Sequence, residues 1–288
     1  MSKANKLFVK PKILSFALRK GGVCRTTMVF NISYAAAMRG LRVLMVDLDS
    51  QHNLTDISAQ VPEGAITVYD ALADAADLTT AMLPTTHENL FLVPGHSEMS
   101  SLDFALGEVP SDVRFEILRR WFERSAGLNE FDLVTIDMGP SMNGAMINAL
   151  AASTHFISPI RSDADSLDGL NQLFTEMADE VYEENPDLKF LGAFLVDYNP
   201  VKVVARSVEK TLRAKLEDKA FHTKIRTNTN FQKARAVKKS IFEYEPDVPN
   251  PKFTRGRDDI MALAEEVIDG LGLSRKIQKQ ETRRVANE

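Results

Sequence analysis

Residues 13–49, ILSFALRKGGVCRTTMVFNISYAAAMRGLRVLMVDLD, decide the fold. Ile13–Leu18 is a continuous apolar run, the mark of a strand buried on both faces. Thr26–Arg39 reads as a helix closed by Gly40, and Arg42–Asp49 returns to an apolar run. Strand, glycine-bearing turn, helix and strand form the opening unit of a parallel α/β sheet. The turn itself is RKGGVCRTT, residues 19–27. Main-chain N–H groups of such a turn, with the positive end of the following helix, make a cradle for phosphate. Gly21 and Gly22 allow close backbone approach, and Thr26 offers a hydroxyl to a Mg²⁺ ion. The match to G-x-x-x-x-G-K-[ST] is incomplete, because Cys24 stands where the last glycine belongs and Arg25 where the lysine belongs. By itself the segment also fits a flexible turn with a helix cap.

Outward from this unit, apolar runs and amphipathic stretches alternate. Asn89–Val93, Phe131–Ile136, Phe156–Ile160, Phe190–Val196 and Phe221–Arg226 read as further strands. A helix is expected to start near Ser111 as its cap, with Val113, Ile117, Leu118 and Trp121 on one face. Met142–Ala152, Asp163–Glu184, Val201–Leu216, Gln232–Lys239 and Asp259–Leu271 are the other expected helices, and Glu245–Phe253 is a proline-rich loop. The fold class is therefore α/β: a doubly wound, mostly parallel sheet flanked by helices. Residues 1–10 read as a flexible segment, 11–272 as one domain and 273–288 as a polar tail.

Composition narrows the chemistry. The chain has 288 residues, 44% hydrophobic and 26% charged, with a net charge of -5, an ordinary globular balance and not that of a uniformly basic nucleic-acid binder. Its single cysteine excludes a disulfide framework and a cysteine-ligated cluster, and five scattered histidines offer no zinc spacing. No apolar run approaches a membrane span, and the N-terminus lacks a signal-peptide core, so a cytoplasmic location is expected.

Acidic residues then appear at the expected strand ends. Asp47 and Asp49 end the strand after the first helix, and FDLVTID delivers Asp137 at the end of another. Open α/β sheets bind ligands at these carboxyl ends, and an acid there can hold Mg²⁺ through water. With these positions, KGGVCRTT (20–27), VDLDSQHNLT (46–55) and IDMGPSMNGAMINALAAS (136–153) resemble the motifs of the ParA/Soj partition ATPases. This is the deviant Walker A branch of P-loop proteins, which also contains MinD. LGAFLVDYNP and VEKTLRAKL resemble it more loosely, and the resemblance covers about residues 11–270.

The resemblance implies ATP or ADP with Mg²⁺ as cofactors and an ATPase, slowed by the altered loop. Lys20 would be the signature lysine reaching a partner's phosphates, with Gly21, Gly22, Val23, Cys24, Arg25, Thr26 and Thr27 forming the cradle. Arg25 would take the place of the ordinary lysine, Thr26 would bind the metal and Thr27 the α-phosphate. Asp49 would position water with Asp47 in support, and Asp137 would hold the metal's water shell. IRTN places Asn228 as a candidate adenine contact. Implied partners are nonspecific double-stranded DNA, a ParB-like centromere-binding protein and a second copy in an ATP-dependent homodimer, at the nucleoid. No membrane cycle is expected, because the tail SRKIQKQETRRVANE lacks the apolar face of an amphipathic anchor.

The departures carry their own physics. A side chain at position 24 costs about 1–2 kcal/mol if the left-handed region is required. Arginine keeps the charge of lysine, but its longer planar fork does not put that charge in the same place. Nucleotide binding is expected to persist, with hydrolysis slowed or altered. Modification of Cys24 would block the cradle, although a small residue tolerated at a turn is the simpler reading. The alternative is a hydrolysis-deficient DNA-binding regulator or adaptor. From Lys202 to Lys239 the charge turns basic, and clustering selects Arg206, Lys233, Arg235, Lys238 and Lys239 as candidate DNA contacts.

Overall fold

The apolar runs do become strands. The computed structural model describes residues 10–74, 77–111, 113–248 and 250–278, so the N-terminal segment up to residue 9 and the tail from 279 lie outside the described residues. The strands are β1 (Lys12–Phe16), β2 (Val43–Asp47), β3 (Leu83–Pro84), β4 (Leu90–Val93), β5 (Leu133–Asp137), β6 (His155–Arg161), β7 (Lys189–Tyr198) and β8 (Ala220–Arg226). They form one sheet in the order β3-β4-β2-β5-β1-β6-β7-β8. Every pairing is parallel except that of β3 with β4.

Among the described residues, twelve α-helices connect or flank the strands: α1 (Arg25–Met38), α2 (Asn53–Ser58), α3 (Val68–Asp74), α4 (Leu78–Ala81), α5 (Leu102–Gly107), α6 (Ile117–Arg124), α7 (Gly144–Ala152), α8 (Ala164–Glu180), α9 (Val203–Leu216), α10 (Asn230–Ala236), α11 (Ile241–Tyr244) and α12 (Pro251–Gly270). Successive side chains of a strand point to opposite faces, so a run without polar interruption feeds two cores. In β2, Val43 and Met45 join the core beneath α1 and α12, whereas Leu44 and Val46 join the one beneath α6 and α7. The buried hydroxyls are paired: those of Ser33 on α1 and Thr135 on β5 lie 2.8 Å apart, those of Ser15 and Ser153 2.7 Å apart, and Ser158 donates to the Ala17 carbonyl at 2.7 Å.

The far edge of the sheet has a different cover. The main-chain N–H groups of His222 and Thr223 donate to the Glu266 carboxylate at 2.9 and 2.7 Å, and that of Arg226 donates to Asp259 at 2.9 Å. Helix α12 thus supplies carboxylates where a further strand would supply carbonyls.

Several sequence expectations are corrected. Ser111 caps nothing: α6 begins at Ile117 behind Glu116, after a run of turns. The last helix starts at Pro251 inside the expected loop, because proline is tolerated in a first helical turn. The body also continues past residue 272, since Leu273 is buried, Ile277 packs on the core and Lys276 pairs with Asp132.

Removing one member of the buried hydroxyl pair tests this core. Ser33→Ala should cost about 1–3 kcal/mol in urea unfolding by stranding the Thr135 hydroxyl. Adding Thr135→Val should recover much of that loss, and a double variant no more stable than the single would contradict the pairing.

Candidate phosphate site at the carboxyl edge of the sheet

Because β1, β2 and β5 run parallel, the loops that leave them meet on one rim. The loop after β1 folds through two left-handed residues, Gly22 (φ 73°) and Cys24 (φ 58°, ψ 24°), around a buried Val23. Cys24 therefore carries the strain its position predicted. The thiol is exposed, yet local desolvation raises its pKa against the pull of Arg161, which disfavours the thiolate form.

Arg25 is the first residue of α1, yet its side chain is only 7% exposed. One terminal nitrogen donates to the carbonyls of Met138 and Gly139, the latter at 2.6 Å. The other donates to Leu18 at 3.0 Å and Lys20 at 3.3 Å. The guanidinium thus spans the loops after β1 and β5, which a single ammonium could not do at four divergent carbonyls. Burial lowers its pKa, while Asp137 and then Asp49 favour its charge.

The acids divide their roles. Asp47, fully buried, accepts from the Thr55 N–H (2.9 Å), the Thr55 hydroxyl (2.7 Å) and the Asp49 N–H (3.2 Å). Both its oxygens are committed to holding the loop after β2, so a direct nucleotide contact is not what its geometry offers. The Thr55 hydroxyl also accepts from the Gly95 N–H at 2.8 Å, and a Cβ at Gly95 would meet the Asp47 carbonyl oxygen at 2.9 Å. Asp137 is the opposite case: 1% exposed, with no hydrogen-bond partner for either oxygen among the described residues. Burial, then Asp47, push its carboxyl up to about 7, against Arg25 and the adjacent Thr26. Burial raises Asp47 to about 6. Asp49 is half-buried at the rim, its carboxylate facing the Gly139 backbone.

The chain that carries this loop, helix start and buried pair of acids matches known proteins over most of its length. The AAA domain model matches residues 11–190. The sporulation initiation inhibitor protein Soj of Bacillus subtilis is 31% identical over 257 residues, covering 89% of this chain and 98% of that protein. The chain belongs to the ParA/Soj family of partition ATPases. The chromosome partitioning protein ParA of Caulobacter vibrioides is 29% identical, covering 89% of this chain and 94% of its own length. Among solved structures, cobyrinic acid a,c-diamide synthase from Mycobacterium smegmatis with bound ADP and magnesium is similar at TM-score 0.69 and 28% identity. That match covers 79% of this chain and 92% of the synthase. The McdA–ATP complex of Cyanothece shares the fold at TM-score 0.76 and 19% identity, with 92% and 97% covered.

In this ParA/Soj-family chain, Lys20 donates to Asp163 at 2.7 Å, with Asp165 at 3.6 Å. Asp163 also caps α8 through the Ser166 N–H at 3.0 Å. Burial works against the charge on Asp163, but Lys20 and Ser166 hold its pKa below the usual carboxylate range. Thr26 and Thr27 sit half-buried in the first turn of α1. Asn228 follows β8, and Arg206, Lys233, Arg235, Lys238 and Lys239 are all exposed in the segments after β7 and β8. Arg206 donates to the Pro200 carbonyl (2.6 Å) and Arg235 to Asn53 on α2 (2.6 Å). Part of the basic stretch serves the fold instead: Arg213 and Lys224 pair with Glu209, and Arg226 with Asp259.

Sequence reasoning missed Asp163, Thr55, Asn31 and Glu245 as partners of the site. Asp163 had a visible signal, an acid three residues ahead of Ser166 at a helix start. Glu245, inside a proline-rich stretch, had none.

Two outcomes follow. Cys24→Gly should raise stability by about 0.5–1 kcal/mol, the released left-handed strain less the added chain entropy; urea unfolding checks it, and a loss would contradict the strain. For Asp137, the folded pKa lies above the unfolded one. Its contribution is therefore complete below pH 4 and is lost as pH rises through about 7. Without nucleotide, stability should decline across that window, and Asp137→Asn should flatten the slope.

Proposed function

We propose that the chain is an ATP-driven partition switch. It binds Mg²⁺-nucleotide at the rim, dimerises around it, and holds double-stranded DNA without sequence preference. A centromere-binding partner stimulates hydrolysis and releases it. The observation that carries this reading is the buried Asp137 carboxylate at the mouth of the phosphate loop, which no hydrogen bond of ordinary geometry among the described residues satisfies and which the adjacent Thr26 hydroxyl approaches. A buried carboxylate without a donor is costly unless a cation or its water shell completes it, so these residues fit Mg²⁺. Thr26 and Asp137 would hold the ion, which supplies charge neutralisation to the phosphates.

The chain's own residues would do the rest. The N–H groups of 21–27 line the cradle and Thr27 reaches the α-phosphate. Asp49 orients the attacking water from the rim. Lys20 must leave Asp163 to reach the phosphates of a second subunit. Asn228 reads the base. Arg25 must exchange carbonyl partners for phosphate oxygens, which slows turnover relative to a lysine. Because both terminal nitrogens of this guanidinium are engaged by carbonyls, a second reading is also favoured, a nucleotide-binding regulator that does not hydrolyse. This reading places the chain at the nucleoid, and no described helix is long and apolar enough to cross a membrane.

Titration of ATP and ADP with Mg²⁺, then turnover with and without DNA, decides between these. Saturable binding with slow turnover that rises about tenfold in Arg25→Lys is expected; binding without turnover in either protein would establish the regulator, and no binding would remove both. DNA affinity should fall steeply with salt, because exposed cations act by counterion release. Lys238→Ala with Lys239→Ala should flatten that dependence, and binding indifferent to salt would contradict the basic face.

A further inference from the structure

Behind the phosphate loop, one buried side chain ties α1 to the segment that follows β8. Asn31 donates from Nδ2 to the Thr27 carbonyl (2.8 Å) and accepts at Oδ1 from the Ile241 main-chain N–H (2.7 Å). Four residues on is Glu245, 3% exposed. Its Oε1 accepts from Nδ2 of Asn228 and from Nδ2 of Asn230, each at 2.9 Å, and its Oε2 accepts from the Arg257 main-chain N–H at 3.0 Å. Asn228 in turn accepts at Oδ1 from the Asn230 main-chain N–H at 2.9 Å. A carboxylate only accepts and a main-chain N–H only donates, so the two ends of the Asn228 amide are not interchangeable. Helix α12 closes on this cluster at Gly256, where a Cβ would come within 2.8 Å of Glu245 Oε1 and 3.0 Å of Asn228 Nδ2.

We infer that Glu245 is a positioning residue that makes the site choose adenine over guanine, by locking the Asn228 amide in one orientation. This rests on the reading above that Asn228 faces the base. Once locked, Asn228 keeps one carbonyl lone pair and one N–H for a ligand. Adenine presents its N6 amino donor beside the N7 acceptor, whereas guanine presents O6 and N7, two acceptors. The fixed Oδ1 accepts from the adenine amino group and meets guanine O6 with like partial charge. An unlocked amide would turn over and offer Nδ2 to O6, so the discrimination resides in the lock and not in asparagine itself. Glutamine at 245 matches glutamate in shape. However, its own amide must present a donor either to Asn228 and Asn230 or to the Arg257 N–H, and one side of the lock is lost.

The test measures Kd for Mg²⁺-ATP and Mg²⁺-GTP on the full chain by calorimetry, with thermal unfolding and inorganic triphosphate binding as controls. Glu245→Gln should reduce the ATP-over-GTP preference about tenfold while triphosphate affinity stays unchanged. Gly256→Ala wedges the same cluster from α12 and should lower the preference in the same direction; it decides the matter if Glu245→Gln does not fold. Asn228→Ala separates the two layers of inference. If it abolishes the preference while neither other variant alters it, Glu245 has no positioning role and the base contact survives. If Asn228→Ala also leaves the preference intact, or the wild type binds neither nucleotide, the base reading falls and the lock with it.

Discussion

A guanidinium held among four main-chain carbonyls joins the end of the central strand to the strand beside it, and the phosphate loop takes its shape from that junction. Arg25 stands at the first position of α1, where side chains ordinarily point outward, yet it is drawn beneath the loop toward the Leu18, Lys20, Met138 and Gly139 carbonyls. Its charge sits in low dielectric, so it needs Asp137 and Asp49 nearby as much as they need it. The loop before it can turn so sharply only because residues 22 and 24 both enter the left-handed region. One of these is a glycine; the other accepts the strain.

Around this junction the acids form a graded series. The innermost, Asp47, is spent on architecture, stitching the loop after β2 to Thr55 and, through it, to Gly95. Asp137 is equally deep but has no donor among the described residues. Asp49 lies at the surface of the rim. The same residue type thus serves as a strut at Asp47 and, in the proposed function, as ion holder at Asp137 and water contact at Asp49, since hydrogen bonding and burial set what a carboxylate can do.

The sheet and its nucleotide-facing loops were legible because both depend on local rules. A strand buried on two faces must be apolar throughout, and a phosphate loop must place glycine, threonine and acid at fixed intervals from strand ends. Thus the strand carrying residues 43–47 was found from the sequence, as were the placements of Thr26 at a helix start and Asp137 at a strand end. The elements that escaped are those set by tertiary contact. The six-residue α2 and α5 are too short to show a period, and α12 begins at Pro251 because its first turns close over Glu245. Within the site, Lys20's partner Asp163 lies 143 residues away, beyond the reach of any periodicity. The internal use of Arg213, Lys224 and Arg226 was likewise hidden, because a sequence shows charge but not which charge is already paired.

The treatment of the two sheet borders limits how copies of the molecule can associate. At one border β3 is only two residues long and ends in a proline, which lacks the donor a docking strand would need. At the other, Glu266 and Asp259 already occupy the N–H groups that an incoming chain would seek, and their negative charge repels its carbonyls. Growth of the sheet from one molecule into the next, the route to fibres and aggregates, is thereby closed at both ends. In the proposed switch, self-assembly would fall to the loop-bearing surface, where it answers to the ligand.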